Sequence, residues 1–409
     1  DVTAKVKAQV NVPVVASNRI NMPDTAEEIL SSGKADMISM ARPFLADPFW
    51  VQKVAEGRID EINTCIACNQ ACLDHTFENK RASCLVNPRA CHETTLIYKS
   101  VAKAKKIAVV GAGPAGLSCA ATAAERGHDV TVFEGRNIIG GQFNYASRIP
   151  GKEEFKETIR YWDTMLKKHN VDLKLNHKVS IEELKAGGFD EVVIATGVKP
   201  RVPNMPGIDS EKVITYQQLL DQELNLDKKV AIMGAGGIGF DVGEYLSHEG
   251  ASITLDTDRW HKEWGVDITN EARGGLVKAE IEPSPRELAL IQRKQTPLGK
   301  GLNKTTGWVH RAVMKMKGVE QIRGASYDQI DEQGLHLTIT EGESRQKRLL
   351  DVDQVVICAG QESVNEMYET LKAEGEHSFG LHLIGGAEFA GELDAKRAIR
   401  QGCELAAKL

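Results

Sequence analysis

KIAVVGAGPAGLSCAATAAERGHDVTVFEG, residues 106–135, decides the fold. Ile107 to Val110 reads as a buried strand, Gly111, Gly113 and Gly116 as a tight turn, Leu117 to Arg126 as a helix, and Val130 to Phe133 as the next strand. That is a complete βαβ opening. Its glycines let the backbone approach a pyrophosphate at the helix N-terminus, and Glu134, closing the second strand, accepts ribose hydroxyls. Gly140, Gly141 and Gln142 follow at the spacing flavoproteins use beneath a ribityl chain, which favours FAD over a nicotinamide at this first loop.

A second glycine loop opens at Lys229 in VAIMGAGGIGFDVGEYLS, with Gly234, Gly236 and Gly239. It predicts a nicotinamide site, and two stretches compete to select the nucleotide. Asp256 ends ASITLD, where an acid would bind an unphosphorylated ribose, while Arg293 and Lys294 end LALIQRK and would hold a 2′-phosphate. If residues 257–285, with Trp260 and Trp264, are an insertion, LALIQRK is the true sheet neighbour and NADPH is the cofactor. EVVIATG, from Glu191, and QVVICAG, from Gln354, read as matching strands that end in glycine turns.

Upstream, CIACNQACLDHTFENKRASC places Cys65, Cys68, Cys72 and Cys84 with two, three and eleven residues between them. Four thiolates at close spacing are what a [4Fe–4S] cluster needs, with a structural zinc site as the competitor. Nicotinamides give hydrides and iron–sulfur clusters take single electrons, so a flavin must stand between them. Cys91 is surplus, Cys119 and Cys358 read as core residues, and Cys403 has no evident role. His75 and His92 read as loop residues rather than ligands.

The first sixty residues have a different rhythm. A short apolar run, Val12 to Ala16, precedes a helical stretch, Thr25 to Ser32, and a second strand, Ala35 to Met40, that leads into ARPFLADP. Strand, loop, helix, strand is the unit of a (β/α)8 barrel, in which phosphates bind after the last strands. Arg19, Arg42 and the backbone at Ala41 are the candidate phosphate cradle. Two strands make only the C-terminal end of such a barrel, and the chain opens without an initiator methionine, as the tail of something larger would.

The expected architecture is therefore α/β throughout. Residues 1–60 are the C-terminal end of a (β/α)8 barrel and 61–104 an iron–sulfur loop segment. An FAD-binding Rossmann-like domain follows in two parts, 105–227 and 353–409, with a NAD(P)H-binding domain, 228–352, inserted between them. At 409 residues there is length for several cores, and 37 glycines against 13 prolines fit nucleotide loops rather than disorder. A net charge of −6, with no basic stripe, argues against a nucleic-acid partner. No apolar run approaches a membrane span, and no signal peptide is evident. Eight cysteines, half of them in one cluster, read as a metal site in a reducing compartment, by default the cytoplasm.

Taken in order, ARPFLADP, the cysteine pattern through SCLVNPRACHE, GAGPAG, GGQFN, ATG and GAGGIGFD resemble the bacterial-type 2,4-dienoyl-CoA reductases, which stand with trimethylamine dehydrogenase among the old-yellow-enzyme-like flavoproteins. GKGLNKTTGWVHR, Gly299 to Arg311, is more similar to the reductase than to the dehydrogenase. The resemblance implies a relay from NADPH through FAD and the cluster to FMN in the barrel, and on to a conjugated acyl-CoA of unsaturated fatty acid β-oxidation. By position it makes the four cysteines cluster ligands, gives Gly111, Gly113, Gly116, Glu134 and Gln142 to FAD, Gly234, Gly236, Gly239, Arg293 and Lys294 to NADPH, and Ala41 and Arg42 to the FMN phosphate. Two features depart from that pattern. Gly386 stands where such flavoproteins often carry an aspartate near the ribityl chain, and the tyrosine and histidine that handle substrate have no counterpart in these residues, so no catalytic acid is assigned. The alternatives are a trimethylamine dehydrogenase-like amine dehydrogenase, whose second fold need not bind nicotinamide, and a stand-alone flavin electron-transfer subunit.

Overall fold

The computed structural model describes residues 2–391 and 394–409. Its backbone divides into two compact units, each assembled from separate stretches of chain. The first comprises Asp1–Phe143, Glu154–Gly197 and Ser363–Leu409; the second comprises Asn144–Glu153 and Val198–Glu362.

The first unit is built on five parallel strands in the order Gly380–Leu383, Glu191–Ile194, Lys106–Val110, Asp129–Phe133, Asp172–Lys174. Ile107, Ala108 and Val109 are fully buried in the central strand, as a parallel sheet covered on both faces requires. Helix Pro114–Glu125 is rich in alanine, and that lets helix Ala395–Ala406 approach closely: Ser118 Oγ donates to the Ile399 carbonyl at 3.1 Å. The predicted βαβ opening is thus present, with its helix beginning at Pro114 rather than Leu117 because proline suits the first helical position.

The N-terminal part of this unit is smaller than its sequence suggests. Val15–Ala16 pairs in parallel with Met37–Ile38, and both strands are shorter than the runs from Val12 and Ala35. Helix Pro23–Ser31 joins them. The two strands nevertheless share a core of Ala16, Ile20, Ala26, Ala35, Trp50 and Ile62. Val12 and Met37 stay 64% and 59% exposed, apolar surface that no described residue covers.

The second unit has its own parallel sheet, ordered Glu320–Ile322, Glu287–Ile291, Lys229–Met233, Gln354–Ile357, Val213–Thr215. An antiparallel sheet, Ala325–Asp331, Gly334–Glu341 and Ser344–Leu350, accompanies it. Two sequence expectations are corrected here. ASITLD forms no strand: Ile253–Leu255 is a 3-10 turn, and the Asp256 carboxylate caps helix Thr257–Trp264 through the amides of Asp258 and Arg259 at 3.1 Å. Strand Gln354–Ile357, expected in the FAD domain from residue 353, pairs instead with Lys229–Met233, so the second unit runs on to Glu362. It also begins at Val198, upstream of 228, and takes in Asn144–Glu153, whose Tyr145 and Ile149 join its core.

Candidate functional site

Three sites arise from the glycine loops and the cysteine segment. In the first loop Gly111 has φ +108°, and a Cβ there would lie 2.5 Å from the Ala195 carbonyl oxygen, so the turn accepts only glycine. Gly113 caps helix Pro114–Glu125 with no side-chain hydrogen bond, which leaves the first-turn amides open to an anion. A Cβ on Gly113 would meet nothing nearer than Gly141 Cα at 4.0 Å, the clearance a pyrophosphate uses. Glu134 is half-buried beside the loop, and its carboxylate accepts the amides of Ala112 at 2.8 Å and Arg136 at 2.9 Å. Gln142 lies half-buried in the turn after Gly141, whose backbone has φ +52°.

The second loop repeats this build. Gly234 has φ +115°, Gly236 caps helix Gly237–Leu246 without a side-chain bond, and a Cβ on Gly236 would meet no atom within 4 Å. The Gly234 amide donates to the Ile291 carbonyl at 2.9 Å, which fixes the loop against the end of strand Glu287–Ile291. Arg293 and Lys294 are exposed just past that same end. The structure therefore brings Gly234, Gly236, Gly239, Arg293 and Lys294 together past the C-terminal ends of two neighbouring interior strands, and leaves Asp256 as the cap of helix Thr257–Trp264.

The cysteine segment curls around a small, partly open cavity that is lined by Cys65, Cys68, Cys72 and Cys84, together with Arg42 and Asn69. All four thiols are free. Left-handed turns at Ala67 and Asn69, φ +53° and +60°, curl the loop so that successive cysteines face inward. Buried asparagines pin it in place: Asn21 Nδ2 donates to the Cys65 carbonyl at 2.8 Å, and Asn63 Nδ2 to the Val86 carbonyl at 2.9 Å. Burial pushes the Cys68 thiol up to about 12, Gln70's amide opposes it, and the charges of Cys72 and Cys65 add to it. Burial, and then Cys68, raise Cys84 as well. Such thiols ionise when a cation binds, and backbone amides directed at sulfur, from Ala67, Gln70, Val86 and Asn87, are the hydrogen bonds that iron–sulfur ligands use. Among the described residues no group of three His, Cys, Asp or Glu side chains is arranged to hold a single metal ion. Four free thiols lining one cavity are the donor type that a cluster takes.

His75 is engaged elsewhere, with Nδ1 2.9 Å from the Arg81 carbonyl oxygen and Nε2 3.2 Å from Lys396 Nζ. Arg19 pairs with Glu154 at 2.8 Å. Ala41 is exposed at the start of helix Arg42–Ala46, while the Arg42 guanidinium turns to the cavity, where Nη1 donates to Asn69 Oδ1 at 2.7 Å. Sequence reasoning passed over Asn69. Its signal was an asparagine between two closely spaced cysteines, where a left-handed turn is needed.

Residues 105–379 match the pyridine nucleotide-disulphide oxidoreductase family. The chain belongs to that family. Residues 1–61 match the NADH:flavin oxidoreductase / NADH oxidase family, which accounts for the barrel-like strands ahead of the cysteines. A metal reductase of Desulforamulus reducens is 34% identical over 386 residues, 93% of this chain and 56% of its own length. An NADH oxidase of Thermoanaerobacter brockii is 30% identical over 95% of this chain and 54% of its own. Among solved structures, a 2-naphthoyl-CoA reductase superposes with a TM-score of 0.84 at 29% identity, over 99% of this chain and 55% of that one. The chain thus spans about half the length of the relatives it matches. It joins a pyridine nucleotide-disulphide oxidoreductase region to a segment of flavin-oxidoreductase type. Among the described residues no helix is long and apolar enough to cross a membrane.

Proposed function

We propose that this chain is the electron-input portion of an NADPH-dependent iron–sulfur flavoprotein reductase of the 2,4-dienoyl-CoA reductase type. The observation that carries the reading is the cavity lined by four free cysteines, in the same unit as the first glycine loop. When bound, FAD, nicotinamide and a [4Fe–4S] cluster would supply hydride acceptance and one-electron transfer. The residues' own part is to bind and orient. The open amides after Gly113 and Gly236 hold pyrophosphates, Glu134 takes a ribose, and Arg293 and Lys294 select the phosphorylated nucleotide. Cys65, Cys68, Cys72 and Cys84 would hold the cluster.

FMN and a conjugated acyl-CoA belong to this proposal at the level of the longer protein, since the relatives are nearly twice as long and one of them is named for an acyl-CoA. We place the protein in a reducing compartment such as the cytoplasm, a reading the eight unpaired thiols support. No nucleic-acid or membrane partner is proposed.

The test is an anaerobic NADPH titration of the reconstituted chain, with NADH in parallel, followed by visible absorption. Flavin bleaching near one equivalent and then reduction of a cluster chromophore is the expected course, with NADPH the tighter nucleotide. A bound flavin that neither nucleotide reduces would turn the reading to the amine dehydrogenase architecture.

A further inference from the structure

Arg42 was expected at a flavin phosphate, yet its side chain lines the cysteine cavity. The guanidinium is held there by Asn69, which sits between Cys68 and Cys72 in a left-handed turn and accepts from Arg42 Nη1 at 2.7 Å. Pro43, buried at the next position, fixes the start of the short helix that carries it. Among the described residues no carboxylate pairs with Arg42, whereas Glu154 is paired with Arg19 at 2.8 Å and bonded by Asn21 at 3.2 Å. A half-buried cation without an acid partner therefore faces a pocket of four prospective thiolates.

We propose that Arg42 is the counter-charge of this pocket, positioned by Asn69, and that it raises the potential at which a bound [4Fe–4S] cluster accepts an electron. The inference rests on the cluster reading above. In the exchange one electron leaves a reduced flavin and enters the cluster, no bond is made or broken, and the cluster with its four thiolates gains one negative charge. A fixed cation in a low-dielectric wall stabilises that added charge more than the oxidised form, and net charge and hydrogen bonding around the sulfurs are the protein's levers on such potentials. Arg42 is a positioning and electrostatic residue; it takes no electron itself.

The experiment is an EPR-monitored redox titration of the full chain reconstituted with iron and sulfide, comparing wild type with Arg42→Met, Arg42→Lys and Asn69→Leu. With iron content unchanged, Arg42→Met shifts the one-electron equilibrium toward the oxidised cluster by about tenfold, a drop of about 59 mV. Arg42→Lys, which keeps the charge, shifts it less, and Asn69→Leu falls between wild type and the methionine variant. A methionine variant with full iron and the wild-type potential overturns the proposal. If that variant loses iron, the lysine variant decides: a retained cluster near the wild-type potential supports the counter-charge, and loss of iron there too makes Arg42 merely structural. Wild type that binds no cluster overturns the reading beneath and takes this proposal with it.

Discussion

Gly116 has no room for one more carbon: a Cβ there would lie 1.9 Å from the Gly111 carbonyl oxygen, while one on Gly236 would meet nothing within 4 Å. The two glycines thus serve different ends, and alanine separates them. Gly116→Ala forces helix Pro114–Glu125 off its strand and lowers stability by about 3 kcal/mol, read as a fall in the thermal midpoint of the first unit. Gly236→Ala leaves the melt unchanged and weakens NADPH binding by calorimetry, because its methyl fills the space left for a pyrophosphate. Replacing both Arg293 and Lys294 with alanine weakens NADPH about ten- to a hundredfold and leaves NADH nearly untouched, since charge-assisted contacts of about 1.5–3 kcal/mol are lost from the phosphorylated nucleotide alone. Equal losses for the two nucleotides would remove these residues from the specificity site. The glycine spacing was legible in the sequence because Gly111 and Gly234 have positive φ and Gly116 and Gly239 have no room for a Cβ, while Gly113 and Gly236 leave space for a ligand. Asp256 was not, because an aspartate closing an apolar run looks the same whether it ends a strand or caps a helix, and only the pairing of Glu287–Ile291 with Lys229–Met233 distinguishes them.

Among the elements, helix Thr257–Trp264 of the insertion is tied down by charge. Lys317 Nζ lies 2.7 Å from Glu263 Oε2, with both side chains almost fully buried, and it also donates to the Glu282 carbonyl at 2.9 Å. Removing one member strands the other, so Glu263→Gln costs about 3–5 kcal/mol in denaturant unfolding, and the double change to methionine recovers most of it. Strand Glu191–Ile194 carries another device at its start. Burial raises the Glu191 carboxyl, but hydrogen bonds from Lys105 at 2.6 Å and His382 at 2.8 Å outweigh it and hold the group below its ordinary range. A depressed acid stabilises the fold fully above the unfolded carboxyl pKa of about 4.3 and loses that contribution as pH falls through the lower native value. Glu191→Gln therefore flattens the acid limb of the stability–pH curve below about pH 4.3 and leaves the neutral region parallel to wild type. Neither the buried pair nor the Glu191 contacts could be read from sequence, because their members lie far apart along the chain: 54 residues separate Glu263 from Lys317, and 191 separate Glu191 from His382.

At the scale of the molecule, alternation of strands, helices and glycine turns made the α/β class and the two nucleotide folds legible, since each βαβ unit is local. The interleaving was harder. A strand such as Gln354–Ile357 has the same apolar composition whichever sheet it joins, and hydrogen-bond partners decide its membership. That interleaving also sets a timetable. Strand Gly380–Leu383 and helix Ala395–Ala406, which complete the first unit, follow the whole of Val198–Glu362 along the chain. A ribosome delivers the glycine loop and the cysteines early and then spends the entire second unit before their last wall emerges. During that interval helix Pro114–Glu125 lacks the helix that packs against Ser118 and Cys119. Closure of the first unit thus waits for strand Gly380–Leu383 and helix Ala395–Ala406, long after the strand that opens it has been made.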